Sequence, residues 1–384
     1  MIVKLLFKNP LRHKLRTALT VTGITIAILA FGLLRTVVDA WYAGVEASSA
    51  SRLVTRNAIS IIFPLPISYK DKIRQVDGVA VVSWGNWFGG IYKDEKNIIP
   101  NFSVDPESYL KLYPEYVLPP EQEKAFIGDR KGAIAGRKTA QRQGWKIGDG
   151  ITLKGTIYPG TWDFVIRGIY SGRYKSTDES QLLFHWDYVN ETLRKTAPRR
   201  VGQAGFYMIG VDDPDRSPEV AVKIDSMFKN SLAETLTESE KAFQLSFISM
   251  TEAIVIAIRL VSFVVIVIIM VVAANTMAMT ARERIGEYAV FKTLGFGGRH
   301  LAFLIFGESL LISMTGCALG IALTFPAARA FAQEMGTYFP VFNIARDTLY
   351  MDALAALAVG VVAGIFPAWR ATRIRIADGL RRIG

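Results

Sequence analysis

Hydrophobic positions are spread unevenly along the chain. Four apolar stretches, at residues 17–34, 260–278, 301–325 and 349–369, are each long enough to cross about 30 Å of hydrocarbon as a helix. The first stands alone near the front, and the other three crowd the back. Between the first and second lie residues 39–241, whose short-period mixture of polar and apolar positions is that of an ordinary globular domain. The pattern predicts one membrane helix, a large inserted domain, then three more membrane helices.

Both helices that bracket the domain are predicted to outrun the membrane. Arg35 and Asp39 follow the first apolar run, yet Trp41, Tyr42 and the small residues up to Ala50 keep helical spacing without a proline. Ahead of the second run, Phe243, Phe247, Met250, Ile254 and Ile258 mark one face of a helix predicted to be continuous over 243–279. At 1.5 Å per residue that helix is roughly 55 Å long against about 30 Å of hydrocarbon, so roughly 20 Å of it should stand above the membrane. The expected division is an N-terminal segment 1–16, a first helix with stalk 17–48, the domain 49–240, a second stalk and helix 241–280, and a loop 281–300. A third helix 301–328, a short loop 329–348, a fourth helix 349–369 and a tail 370–384 follow.

Within the domain the alternation of strand and helix patterns predicts a mixed α/β fold. Residues 58–63 read as a strand stopped by Pro64 and Pro66, residues 69–76 as a helix, and residues 79–84 as a strand. The aromatic, glycine-rich run 84–92 is either a ligand-touching loop or a hairpin that packs its rings into the core.

Charge then orients the spans. The 384 residues carry a net charge of +11, which in a soluble protein would raise nucleic acid as a partner. Its distribution points elsewhere. Lys4, Lys8, Arg12, Lys14 and Arg16 precede the first span, Arg282, Arg284, Lys292 and Arg299 lie between the second and third, and Arg370, Arg373, Arg375, Arg381 and Arg382 follow the fourth. The loop between the third and fourth spans has only Arg329 and Arg346. By the positive-inside rule both termini and the loop 281–300 are cytoplasmic and the large domain lies outside. Anionic lipid headgroups account for the basic clusters, so membrane lipids are expected partners and nucleic acid is not. The first span reads as an uncleaved anchor rather than a secretory signal. The single cysteine, Cys317, allows no intrachain disulfide.

Catalytic patterns are scarce. The three histidines, His13, His185 and His300, form no zinc-binding helix motif, and no nucleophile elbow occurs. Residues 132–139 imitate a phosphate loop, but Arg137 separates Gly136 from Lys138, so no lysine directly follows the glycine to reach β and γ phosphates. The chain itself is expected to hydrolyse nothing, to hold no metal and to have no catalytic residue.

The informative motifs stand at the membrane borders. Asn9-Pro10-Leu11-Arg12-His13-Lys14-Leu15-Arg16 runs into Gly23-Ile24. Arg282-Glu283-Arg284-Ile285-Gly286-Glu287-Tyr288 continues to Lys292-Thr293-Leu294-Gly295, and Gly364-Ile365-Phe366-Pro367-Ala368-Trp369-Arg370 is followed by Asp378-Gly379-Leu380-Arg381. With Glu308 and the pairs Gly316/Gly320 and Gly360/Gly364, this ordered set resembles the MacB/FtsX-type permeases of ABC transporters, which include LolC and LolE. In the domain, Ile134-Ala135-Gly136-Arg137-Lys138-Thr139-Ala140 with Gly148-Asp149 and residues 164–170 is similar to the family's periplasmic core segment.

The resemblance implies an α-helical membrane domain of four transmembrane helices plus a large mixed α/β extracytoplasmic domain, located in a bacterial inner membrane. It implies that Arg282, Glu283, Arg284, Ile285, Gly286, Glu287 and Tyr288 form a coupling helix that docks a cytoplasmic ABC ATPase dimer. ATP and Mg would then belong to that partner and no cofactor to this chain. It further implies a second permease chain, identical or a sister, and leaves open a periplasmic adaptor or substrate-binding partner.

From the residues alone, the loop's apolar face with both charge signs favours docking, and the glycine pairs mark close helix packing. Glu308, costly to ionise in lipid, should face other helices or headgroups. Reversing Glu287 or Arg284 is expected to leave folding intact while lowering the partner's ATP hydrolysis. The expected function is mechanical transmission of ATP hydrolysis for export or extraction of a lipid, lipoprotein, peptide or drug. FtsX-like signalling to a cell-wall hydrolase is one alternative, and a proton path through Glu308, Glu252 and Arg259 is another.

Overall fold

The computed structural model describes residues 12, 14–95, 99–335, 339 and 341–373. Residues 9–11, 13 and 374–384, which carry parts of two border motifs, lie outside the described residues. The chain divides into two units, one of Met1–Ala40, Glu252–Glu334 and Phe342–Gly384, the other of Trp41–Thr251 and Met335–Val341. The helix α1 (Lys14–Ala47) belongs to the first over most of its length and to the second at its end. In it Thr20, Thr25 and Thr36 each donate to the carbonyl four residues back, which satisfies these three hydroxyls within the helix.

The inserted domain follows α1 as β1 (Arg52–Asn57), β2 (Leu65–Pro66), α2 (Tyr69–Ile73), β3 (Val79–Trp87), β4 (Gly90–Ile91), β5 (Asn101–Val104), α3 (Pro106–Leu112), β6 (Tyr116–Val117) and α4 (Pro120–Gly128). It continues through β7 (Gly132–Gly136), α5 (Arg137–Gln143), β8 (Gly150–Gly155), β9 (Gly160–Gly172), β10 (Leu182–His185), α6 (Trp186–Thr196), β11 (Gln203–Ala204), β12 (Phe206–Val211), α7 (Ser217–Met227), β13 (Thr235–Ser239) and α8 (Glu240–Ser249). One mixed sheet runs in the order β13-β1-β12-β3-β5-β10-β7-β9-β8-β4, with β6 on the side of β9. The pairs β5/β10 and β7/β9 are parallel and the other neighbours antiparallel. Alternation dictates this layering most plainly in the first half of β9, where Trp162, Phe164 and Ile166 turn into one core; past the irregularity at Ile166 to Gly168, Ile169 packs against that core and Tyr170 joins a second one.

Two sequence expectations change here, and an alternative left open is decided. Residues 58–63 form no strand; the strand is β1, six residues earlier, and Ile59, Ile61, Ile62 and Phe63 are exposed in a loop. Tertiary pairing overrides local apolarity, because Leu53 to Asn57 find partners on β13 while Thr55 and Thr237 bond through their hydroxyls. The aromatic run 84–92 packs inward as β3 and β4, with Phe88 fully buried among Tyr158, Trp162 and Phe184, although Trp87 stays exposed. The long helix expected over 243–279 is broken after Ser249. Ser246 and Ser249 hydroxyls bond carbonyls three residues back, and the backbone N–H of Thr251 turns to Ile248 O. Thr251 also accepts from Trp41 Nε1 at 2.9 Å. These local bonds compete with the helical ladder and end it.

The phosphate-loop lookalike is the turn from β7 into α5. The N–H groups of Lys138 and Thr139 point to Glu179 O, and Arg137 pairs with the Glu179 carboxylate at 2.9 Å. The first turn of α5 is thereby occupied by the chain itself.

A buried ionic knot joins the chain entering the domain to the chain leaving it. Arg52, on the first residue of β1, bonds Glu240 at 2.8 Å, Glu115 at 2.8 Å and Leu112 O at 3.0 Å. Glu240, on the first residue of α8, also accepts from Ser49 N and Tyr113 Oη. Burial pushes the Tyr113 phenol well above its ordinary value, so its hydroxyl stays a donor.

The membrane unit contributes α9 (Glu252–Glu283), α10 (Ile285–Thr293), α11 (Gly298–Met335) and α12 (Arg346–Thr372). Four helices, α1, α9, α11 and α12, are long and apolar enough to cross a membrane. Their shared core is Ile24 and Ile28 of α1, Ile269 and Ala273 of α9, Ile312 and Cys317 of α11, and Ala356 and Val359 of α12.

Candidate functional site

Helix α10 sits in the loop between the second and third membrane helices, and its two faces do different things. Inward, Tyr288 and Ala289 are buried, with Tyr288 in a cluster of Ala281, Leu301, Ile305, Ala368 and Ala371 from α9, α11 and α12. Burial pushes the Tyr288 phenol up to about 12. Lys292 Nζ donates to Thr372 O at 2.9 Å, tying the last turn of α10 to the end of α12. Outward, Val290 and Leu294 are 41% and 69% exposed and lie four residues apart on one face, in line with the half-exposed Glu287.

Arg284, the residue that joins α9 to α10, is buried. Its Nη1 lies 2.7 Å from Glu308 of α11, its Nε 3.1 Å from Glu287, and its guanidinium 5.5 Å from the Tyr288 ring. Burial works against the Arg284 cation, but Tyr288, Glu308 and Glu287 outweigh it and hold its pKa above the ordinary value. This corrects the expectation that Arg284 and Tyr288 are docking surface. The buried carboxylate at Glu308 demands a cation, and Arg284 is turned in to supply it. Arg282 and Glu283 are exposed, and Ile285 and Gly286 are half-buried.

The N-terminal segment closes the site from the other side. Arg12 bonds Glu287 at 2.6 Å, and Arg16 grips Glu283 through two hydrogen bonds of 2.6 and 2.9 Å. Arg12, Glu287, Arg284 and Glu308 therefore alternate in sign from the surface to the interior. A cavity of about 30 Å³ lies beside them, lined by Arg16, Thr20, Thr280 and Glu308 among others. It is polar and roomy enough for water. Sequence reasoning missed Arg12 and Arg16 as partners of this loop, since nothing local links residues more than 260 positions apart. Val290 and Leu294 were legible as an i, i+4 apolar pair and were passed over.

The glycine pairs hold α11 between two neighbours in the same chain. A Cβ on Gly316 would stand 2.8 Å from Ile24 Cβ, and one on Gly320 2.8 Å from Ile28 Cβ, so α1 presses directly on α11. Thr25 donates to Gly316 O at 3.2 Å across this seam. On the opposite side Gly360 faces Ser313 and Leu310, Gly364 faces Phe306, and Ser309 donates to Gly360 O at 2.6 Å. Gly316→Ala is expected to cost about 1–3 kcal/mol by overpacking, read as a lowered unfolding midpoint in detergent. Ile24→Ala in the same chain should return part of it; an unchanged midpoint in Gly316→Ala refutes the tight seam.

The three residues of the proton-path alternative do not converge. Glu252 and Arg259 are exposed at one end of α9. Glu308 binds Arg284, which lies past the other end, roughly 48 Å along the helix from Glu252. Among the described residues no group of His, Cys, Asp and Glu could hold a metal ion.

Four membrane-crossing helices with a mixed α/β domain between the first and second, and a short helix clamped into the loop before the third, define a multi-pass membrane protein of the permease class. Residues 17–227 match the MacB-like periplasmic core domain and residues 259–376 the FtsX-like permease C-terminal domain. The chain belongs to this family and is an ABC transporter permease of MacB/FtsX type.

An uncharacterized ABC transporter permease of Methanocaldococcus jannaschii is 24% identical, covering 99% of this chain and 97% of the relative. The macrolide export ATP-binding/permease protein MacB of Haemophilus ducreyi is 25% identical over 48% of this chain, which spans only 27% of that protein. Among solved structures, the extracellular domain of the noncanonic ABC-type transporter YknZ from Gram-positive bacteria covers 49% of this chain at 10% identity, with a TM-score of 0.36.

Proposed function

We propose that this chain is the mechanical half of an ABC transport complex, taking force from a separate cytoplasmic ATPase at α10 and delivering it through α1 and α9 to the inserted domain. The observation that carries the reading is the two-faced build of α10. Its inner face is tied to α9, α11 and α12, so displacement of α10 is passed on to those helices. Its outer face offers Glu287, Val290 and Leu294 to a partner. The basic residues beside α1, α10 and the end of α12 support a cytoplasmic position for this face, with the inserted domain on the far side of an inner membrane. Substrate is then handled at the outer leaflet or beyond, since four spans are few for a central cavity, and two such chains serve two ATPase subunits.

The transmitting elements are unequal. α1 is unbroken and enters β1 within a few residues, whereas α9 meets α8 at the break around Thr251. The proposal therefore assigns the stiff connection to α1 and a joint to the second connection.

Val290→Glu with Leu294→Glu is the direct test, because both side chains are outward and neither supports the fold. In proteoliposomes holding the chain and its ATPase, the double variant should insert normally and lower stimulated ATP hydrolysis by tenfold or more, about 1.4 kcal/mol of lost docking. Undiminished stimulation would remove α10 from the interface.

A further inference from the structure

The membrane unit contains both halves of an ion pair that this structure leaves open. Asp352, on the second turn of α12, is fully buried, and neither carboxylate oxygen has a hydrogen-bond partner among the described residues. Arg35 of α1 has a buried Nε that likewise has no partner there. The two belong to packed surfaces. A Cβ on Gly32 would lie 3.1 Å from Asp352 Oδ2, so the carboxylate rests on the bare backbone of α1, one turn before Arg35. Three residues of helix put Arg35 about 4.5 Å further along the axis, within the span of its side chain.

The neighbouring groups leave Asp352 without a donor. Thr324 Oγ1 donates to Gly320 O at 2.8 Å, Thr36 Oγ1 to Gly32 O at 2.7 Å, and Thr348 Oγ1 to Asp39 Oδ2 at 3.0 Å. Cys317 Sγ faces the backbone carbonyl of Asp352 at 3.7 Å rather than its carboxylate. An ionised carboxylate in such surroundings is costly unless a cation meets it, and the half-buried Arg35 is the cation one turn away on the facing helix.

We propose that Arg35 and Asp352 close into an ion pair in a second arrangement of α1 on α12, making this contact a two-state latch at the outer end of the membrane unit. Closed, it ties the outer third of α1 to α12. Open, as here, it leaves α1 held there by the glycine contact and the Thr348–Asp39 hydrogen bond. Because α1 is the helix that continues into the inserted domain, the latch bears on the setting of that connection. The inference concerns the chain's own conformational equilibrium and does not depend on the docking proposal.

A double-mutant cycle on the full chain in lipid nanodiscs tests it without any ATPase. Arg35→Gln and Asp352→Asn should each lower the thermal midpoint by about 5 °C, since each removes the closed arrangement and strands the other charge where the two would meet, and the double variant should recover most of the loss. Asp39→Asn combined with Arg35→Gln should show no such recovery. An Asp352→Asn midpoint equal to or above the parent's, with additive effects in the double variant, would mean that Asp352 carries its own proton, and overturns the latch. Should the single variants fail to accumulate, accumulation of the double variant or of the exchange Arg35→Asp with Asp352→Arg supports the pair; failure of both refutes it.

Discussion

Arg284→Glu is expected to unfold the α10 end of the membrane unit rather than merely weaken a docking contact. The new carboxylate would face Glu308 in a site where both wild-type side chains are under a tenth exposed and 2.7 Å apart. Breaking such a buried pair costs about 3–5 kcal/mol, and the repulsion of two buried acids adds to it. The exchange Arg284→Glu with Glu308→Arg should restore a large share of the thermal midpoint, because the pair is remade in the same place. Glu287→Arg should cost little stability, since that side chain is 41% exposed and Glu308 still holds Arg284. ATP hydrolysis by the reconstituted complex should follow the same order. If Arg284→Glu proves as stable as the parent while Glu287→Arg does not, the assignment of inner and outer residues is wrong.

Arg52→Met should produce the second large effect, confined to the inserted domain. It strands Glu240 and Glu115, both on the inside of the knot between β1, α3 and α8, and removes the donor to Leu112 O. The expected loss is about 3–5 kcal/mol, seen as rapid proteolysis of the domain in the intact, detergent-solubilised chain. Adding Glu240→Gln should recover part of it. A wild-type rate of cleavage in Arg52→Met would show that the knot contributes nothing to stability.

The two effects bear on the transmission proposal from opposite ends. The ionic chain through Arg284 fixes α10 to the membrane helices, and the knot at Arg52 fixes the first strand of the domain to the first residue of α8. The first should abolish coupling by loosening the input; the second should leave ATP hydrolysis responsive while disordering the output.

The four spans and the inserted mixed domain were legible because each rests on features with local periodicity, and the family was legible from contiguous border motifs. An apolar run of membrane length admits few alternatives, since lipid offers backbone groups no partner outside the helix. The alternation in β9 and the border motifs are equally local. What failed was of another kind. Residues 58–63 are apolar and β-prone but lack a neighbour strand, whereas the more polar β1 has two. The second stalk looked like one amphipathic helix, and hydroxyls of Ser246, Ser249 and Thr251 end it by bonding nearby carbonyls.

The docking loop shows the division most clearly. Its composition, both charge signs around apolar residues, was enough to mark it as a contact element. Which residues face outward was not recoverable, because Arg284 is turned in by Glu308, 24 positions away, and Glu283 and Glu287 are met by Arg16 and Arg12 from the far end of the chain. Sequence alone determined four membrane spans with a domain between the first two, since hydrophobic length is additive along the chain, and its contiguous border motifs carried the resemblance to the permease family. Only the tertiary structure decided which charges are surface and which are core, because a buried charge is defined by the partner that folding brings to it.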